Sequence, residues 1–155
     1  MPGQLNFSLI AASFVGRNGP IIIPYGRVFQ PDNRTPLSGP DYLAQLYVGT
    51  TPNNLEPVGY PVPFFRDQGF GNNSPQYQGL FVPEVVRLPN AVAGQRVYAK
   101  ICVWNSTFGS SFESALMSGG PVGTSTVIRV IAGSEETGPT PLMGIRSFSL
   151  RTPNH

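Results

Sequence analysis

Between Arg96 and Asn105 polar and apolar positions alternate, with Val97, Ala99, Ile101 and Val103 on one side and Arg96, Tyr98, Lys100, Cys102 and Trp104 on the other. Side chains of a strand point to opposite faces in turn, so this pattern predicts a strand with one small, apolar row facing a core. Tyr42, Ala44, Leu46 and Val48 make a second such row, leaving Leu43, Gln45 and Tyr47 opposite. Runs rich in β-branched and aromatic residues extend the same reading to 4–11, 21–29, 42–49, 57–65, 79–88, 95–105, 123–132 and 144–152. The links hold Pro31-Asp32-Asn33, Ser38-Gly39-Pro40, Thr51-Pro52-Asn53-Asn54, Gly69 to Pro75, and Pro89-Asn90. There Pro fixes φ, and Gly or Asn tolerates a positive φ where the chain reverses. About eight strands at this spacing predict an all-β, two-sheet antiparallel sandwich, immunoglobulin-like or jelly-roll-like in outline, occupying 1–155 as a single domain. Its core is expected to include Ala44, Leu46, Val48, Val97, Ala99, Ile101 and Val103.

One segment departs from the strand pattern. Ser110-Ser111-Phe112-Glu113 fits a capping box with Ser110 as N-cap and Glu113 reaching back, and Gly119-Gly120-Pro121 supplies a stop. A short helix over 110–117 is expected, with Phe112, Leu116 and Ala115 turned toward the sandwich.

Composition narrows the class. The chain has 18 Gly and 17 Pro, yet 40% of its residues are hydrophobic and cluster between the turn formers, which argues for many short elements over disorder. Only 12% are charged, against about a quarter in ordinary domains, so the surface is built from neutral polar groups that suit an extracellular protein. The ten basic residues occur singly from Arg17 to Arg151, without the clustering that neutralises adjacent phosphates, and nucleic acid is not an expected partner. A lone Cys102 cannot form an internal disulfide and is expected in the core. No stretch reaches the roughly 18 apolar residues of a membrane span, and no charged-then-apolar leader opens the chain.

The residues needed for familiar catalysis are scarce. The one histidine, His155, is the last residue, so His-based triads and His-based metal sites are not expected. Gly69-Phe70-Gly71 lacks the further Gly or Lys of a phosphate loop. Asp32, Asp41, Asp67, Glu84 and Glu113 offer carboxyl groups for a glycosidase pair, but the three aspartates lie beside turn residues and Glu113 has a capping role. Asp32 and Asp41 with loop carbonyls could cage a calcium ion, although no acidic loop of the repeating Asp type exists. Accordingly no catalytic residue, metal site or cofactor is expected. Asn6, Asn33, Asn72 and Asn105 begin N-glycosylation patterns of the kind that arise by chance in an Asn- and Ser-rich chain. The candidate ligand-binding residues are Tyr47, Tyr98 and Trp104, which share the face opposite the predicted core. Either they form a platform that stacks on sugar rings, or they are buried under the helix or the N-terminal segment. The scarcity of large aromatics on monomer surfaces favours burial.

Ser38-Gly39-Pro40-Asp41-Tyr42-Leu43-Ala44-Gln45-Leu46-Tyr47, Pro61-Val62-Pro63-Phe64-Phe65-Arg66, the strand Val97 to Trp104, Ser106 through Ala115, and Leu142 through Leu150 follow one another in order. Together they resemble successive signature stretches of a group of uncharacterised exported proteins of verrucomicrobial and planctomycete type, many with a PEP-CTERM sorting tail. The resemblance spans about residues 38–151. It implies export and supplies no catalytic residues. This version of the chain shows neither the signal nor the tail, which puts surface anchoring in question. The expected function is an exported, non-catalytic structural or interaction protein of the cell surface or extracellular matrix, hence a secreted or cell-surface location. The alternatives are a carbohydrate-binding module for extracellular polysaccharide and a self-assembling subunit of an extracellular polymer. The last would form a homo-oligomer through edge strands at Leu5–Ile10 and Ile145–Leu150.

Overall fold

A computed structural model describes residues 2–17, 19–65, 78–134 and 136–152. The turn expected over Gly69 to Pro75, Asp67, the Asn72 pattern and His155 lie outside them. The chain is all-β, with twelve strands among the described residues and little helix. In order they are β1 (Pro2–Phe7), β2 (Ile10–Gly16), β3 (Gly19–Pro24), β4 (Val28–Phe29), β5 (Tyr42–Gly49), β6 (Glu56–Pro63), β7 (Glu84–Val92), β8 (Arg96–Asn105), β9 (Val122–Thr124), β10 (Ile128–Ile131), β11 (Thr140–Pro141) and β12 (Phe148–Ser149). A 3-10 turn at Ser106–Phe108 and a helix α1 at Phe112–Met117 separate β8 from β9.

Two larger sheets share one core. One has the order β11-β1-β7, the other β10-β8-β5-β6, with β9 also paired to β8. The inward rows of β5 and β8 are the expected ones: Ala44, Leu46, Val97, Ala99, Ile101 and Val103 are fully buried, and Val48 is buried at their end. Leu5 and Phe7 of β1 and Val86 and Leu88 of β7 join the same cluster. Two smaller pairs complete the fold, a β2–β3 hairpin and β4 beside β12. Pairing is not antiparallel throughout, as the sequence led one to expect: β1 with β11 and β4 with β12 run parallel.

Several expected strands break, each for a local reason. The 4–11 run divides because the Ser8 hydroxyl accepts from the Ile10 N–H at 2.9 Å, turning the chain while Leu9 stays buried. The 21–29 run divides after Pro24. There Gly26 passes so close to the C-terminal segment that a Cβ would lie 2.3 Å from the Ser147 nitrogen. In the 123–132 run, Ser125 replaces the ladder between β9 and β10. Its N–H donates to the Ile101 carbonyl at 2.9 Å, and its hydroxyl accepts from the Ile101 N–H at 2.8 Å.

Pro89-Asn90, expected as a link, lies inside β7. The register of β7 on β1 jumps from Leu88 opposite Gly3 to Val92 opposite Pro2, so Pro89 sits in a bulge where no ladder donor is required. Of the edges expected at the two ends of the chain, the first is covered over Leu5–Phe7 and the second is paired on one side. β1 is the central strand of its sheet, β12 is paired with β4, and Ile145 and Leu150 are buried. Of the strands at the edges of the larger sheet, β6 carries Pro57, Pro61 and Pro63, which withhold ladder donors.

Candidate functional site

The outer face of β5 and β8 carries the three residues singled out from the sequence. Register sets Tyr47 opposite Lys100, Gln45 opposite Cys102, and Leu43 opposite Trp104, while Tyr98 lies opposite Gly49. Burial rises along β8, from exposed Arg96 through half-buried Tyr98 and Lys100 to Cys102 and Trp104 at 0% exposure. Helix α1 packs on this end of the strand. The Trp104 indole donates from Nε1 to the Gly109 carbonyl at 3.1 Å, which satisfies its polar edge in the interior. Tyr47, at 6% exposure, stands edge-on to the Phe112 ring with centroids 6.2 Å apart. The stacking platform of Tyr47, Tyr98 and Trp104 is therefore not available to a sugar. Two of its three rings are packed beneath the connection between β8 and β9, and only Tyr98 retains some surface.

The helix achieves this by a cap that differs from the expected one. Its N-cap is Ser111, whose hydroxyl accepts from the Ser114 N–H at 3.1 Å, and Ser114 Oγ accepts from the Ser111 N–H at 3.0 Å. With Ser114 closing the box, Glu113 is free to reach outward to β5, where its carboxylate accepts from the Tyr47 hydroxyl. Ala115 is the one fully buried helix residue, while Leu116, expected inward, is exposed. The ammonium of Lys100 lies 5.8 Å from the centroid of the Tyr47 ring, a cation on an aromatic face.

Electrostatics at this cluster point away from reactivity. Burial, with the Glu113 bond and charge adding to it, drives the Tyr47 phenol well above its usual range. Burial also pushes the Cys102 thiol up to about 12, against a smaller opposing pull from Lys100. A thiol held protonated is neither a nucleophile nor a metal ligand. Asp32 is held down to about 2 because its carboxylate accepts from the Thr35 hydroxyl and from the Thr35 and Arg34 N–H groups. Its oxygens are thereby committed to its own loop. Among the described residues no three of His, Cys, Asp and Glu gather into a cluster able to hold a metal ion.

Open concavities are present among the described residues. A cleft of about 160 Å³ lies between the sheet ends, walled by Val48, Val58, Leu88 and Val97 with Asn54 and Glu56 at its polar side. A larger recess of about 480 Å³ is lined by Asn33, Thr124, Ser147, Phe148, Ser149 and Arg151. Sequence reasoning missed the second entirely. Its residues come from three separated segments, carry no motif, and meet only because the C-terminal strand is threaded between β4 and β9. No protein-family model, curated protein or solved structure matches the chain.

Proposed function

We propose that this is an exported, non-catalytic interaction protein of the cell surface or extracellular matrix, acting by binding through its exposed recesses. The observation that carries the proposal is the fate of the chemically distinctive side chains. Trp104, Tyr47 and Glu113 are spent on fastening α1 and the turn before it to the sheet, Cys102 is fully buried, and the thiol and phenol are both pushed away from ionisation. What the surface offers instead is a shaped hollow lined by hydroxyl and amide groups and one guanidinium, a combination suited to recognition. The low charge content and the ordered resemblance over residues 38–151 support export. The experiment is fractionation of source cells with an antibody to this chain, combined with surface proteolysis of intact cells. Recovery in the envelope, matrix or medium and cleavage from outside are expected; a strictly cytosolic, protease-protected pool contradicts the proposal.

A further inference from the structure

The recess around Arg151 has a chemistry of its own. Ser147, Ser149 and Arg151 alternate along the C-terminal strand with buried Leu150, so the three side chains share one face. The backbone beneath them is pinned on both sides. Phe148 N–H donates to the Arg27 carbonyl at 3.1 Å, Leu150 N–H donates to the Phe29 carbonyl at 2.8 Å, and Arg151 and Val122 exchange bonds of 2.8 and 3.0 Å. Across the hollow, Asn33 is held with φ at 62° in the loop that the Asp32 carboxylate closes.

The backbone that carries these groups is fixed, while the side chains themselves are largely uncommitted. Among the described residues, no hydrogen bond or ion pair engages the side chains of Asn33, Thr124, Ser149 or Arg151. Ser147 accepts from the Arg27 N–H at 2.9 Å, which leaves its hydroxyl proton free to donate. An apolar occupant would strip water from all of these without replacing it, a cost with no return. A polyphosphate would meet a single cation. A polyhydroxylated ring bearing one carboxylate matches the lining: hydroxyls and an amide for the ring oxygens, and a planar guanidinium fork for the carboxylate. None of the lining residues is acidic. The volume of about 480 Å³ falls within the range of small-ligand sites, roughly 300–1,000 Å³.

We infer that the recess formed by Asn33, Thr124, Ser147, Phe148, Ser149 and Arg151 binds a uronate unit of an acidic extracellular polysaccharide, with Arg151 on its carboxylate. This rests on the binding function proposed above and gives it a ligand class. The test is calorimetric titration of the whole chain with an oligogalacturonate, its fully methyl-esterified counterpart and free galacturonate, repeated with Arg151→Gln and Arg151→Lys. The acid oligomer is expected to bind at least about tenfold more tightly than the ester, and Arg151→Gln to abolish that difference. Arg151→Lys should recover part of it, since charge returns without the fork. Tighter binding of the oligomer than of the free sugar identifies the polymer as the source; equal binding identifies the monosaccharide. Equal affinity of acid and ester for the unsubstituted protein overturns the inference without needing any variant. Retention on other matrix polymers in that case leaves the proposed function standing, whereas retention on none removes both.

Discussion

The Tyr47 hydroxyl on β5 donates to the Glu113 carboxylate on α1, joining the sheet to the only α-helix among the described residues. Glu113 is exposed, so solvent screens the interaction and its worth is modest, about 1 kcal/mol. Tyr47→Phe and Glu113→Gln should each lower stability by about that amount in chemical denaturation. The double variant should lose less than the sum of the two, which is the signature of a direct bond.

Alkaline pH should destabilise the protein through two groups. Cys102 has its folded pKa raised from 9.0 to about 12, and the Tyr47 phenol is raised as well. A group raised in the folded state stabilises fully below its unfolded pKa, and that contribution is lost as pH climbs toward the folded value. Melting temperature should therefore fall from about pH 9 upward, and Cys102→Ala should flatten the decline. A native thiol that reacts with a thiol reagent as fast as the denatured chain would contradict the burial on which this rests.

At acidic pH the sign reverses. Asp32 is lowered from 3.8 to about 2, so its contribution is present above the unfolded value and disappears as pH falls through the folded one. Asp32→Ala should lower the melting temperature at neutral pH, only slightly because the group is exposed, and should shrink by the same amount the loss of stability between about pH 4 and pH 2.

Ser125→Ala should be costly for a single hydroxyl. It leaves the Ile101 N–H without its partner inside the larger sheet, a penalty of about 1–3 kcal/mol. Equilibrium unfolding measures it, and Ser125→Thr, which keeps an acceptor, should recover part of the loss.

The inward rows of β5 and β8 were legible because alternation along one strand is a local signal, and every residue assigned to the core from it is buried. The breaks at Ser8, Pro89 and Ser125 were not, since each depends on a bond or register jump set by a partner strand. The same holds for the aromatic face. Position on β8 placed Tyr98 and Trp104 together, but only the packing of α1 decides that Trp104 is enclosed and Tyr98 partly open. The helix cap moved by one residue because Ser111 and Ser114 close the box as well as Ser110 and Glu113 could, and Glu113 gains Tyr47 by the exchange. Arg151 and Asn33 are far apart in sequence, and nothing in either neighbourhood marks them as partners.

The central claim is that this protein binds through its surface and does not transform what it binds. The most direct measurement incubates it with a panel of extracellular polysaccharides and matrix proteins, and follows both the retained protein and any low-mass product released. The account predicts retention on at least one polymer with no product above the protein-free control, and retention unchanged in Trp104→Phe. Release of product, or retention that depends on Trp104 in a variant of unaltered fold, would contradict it.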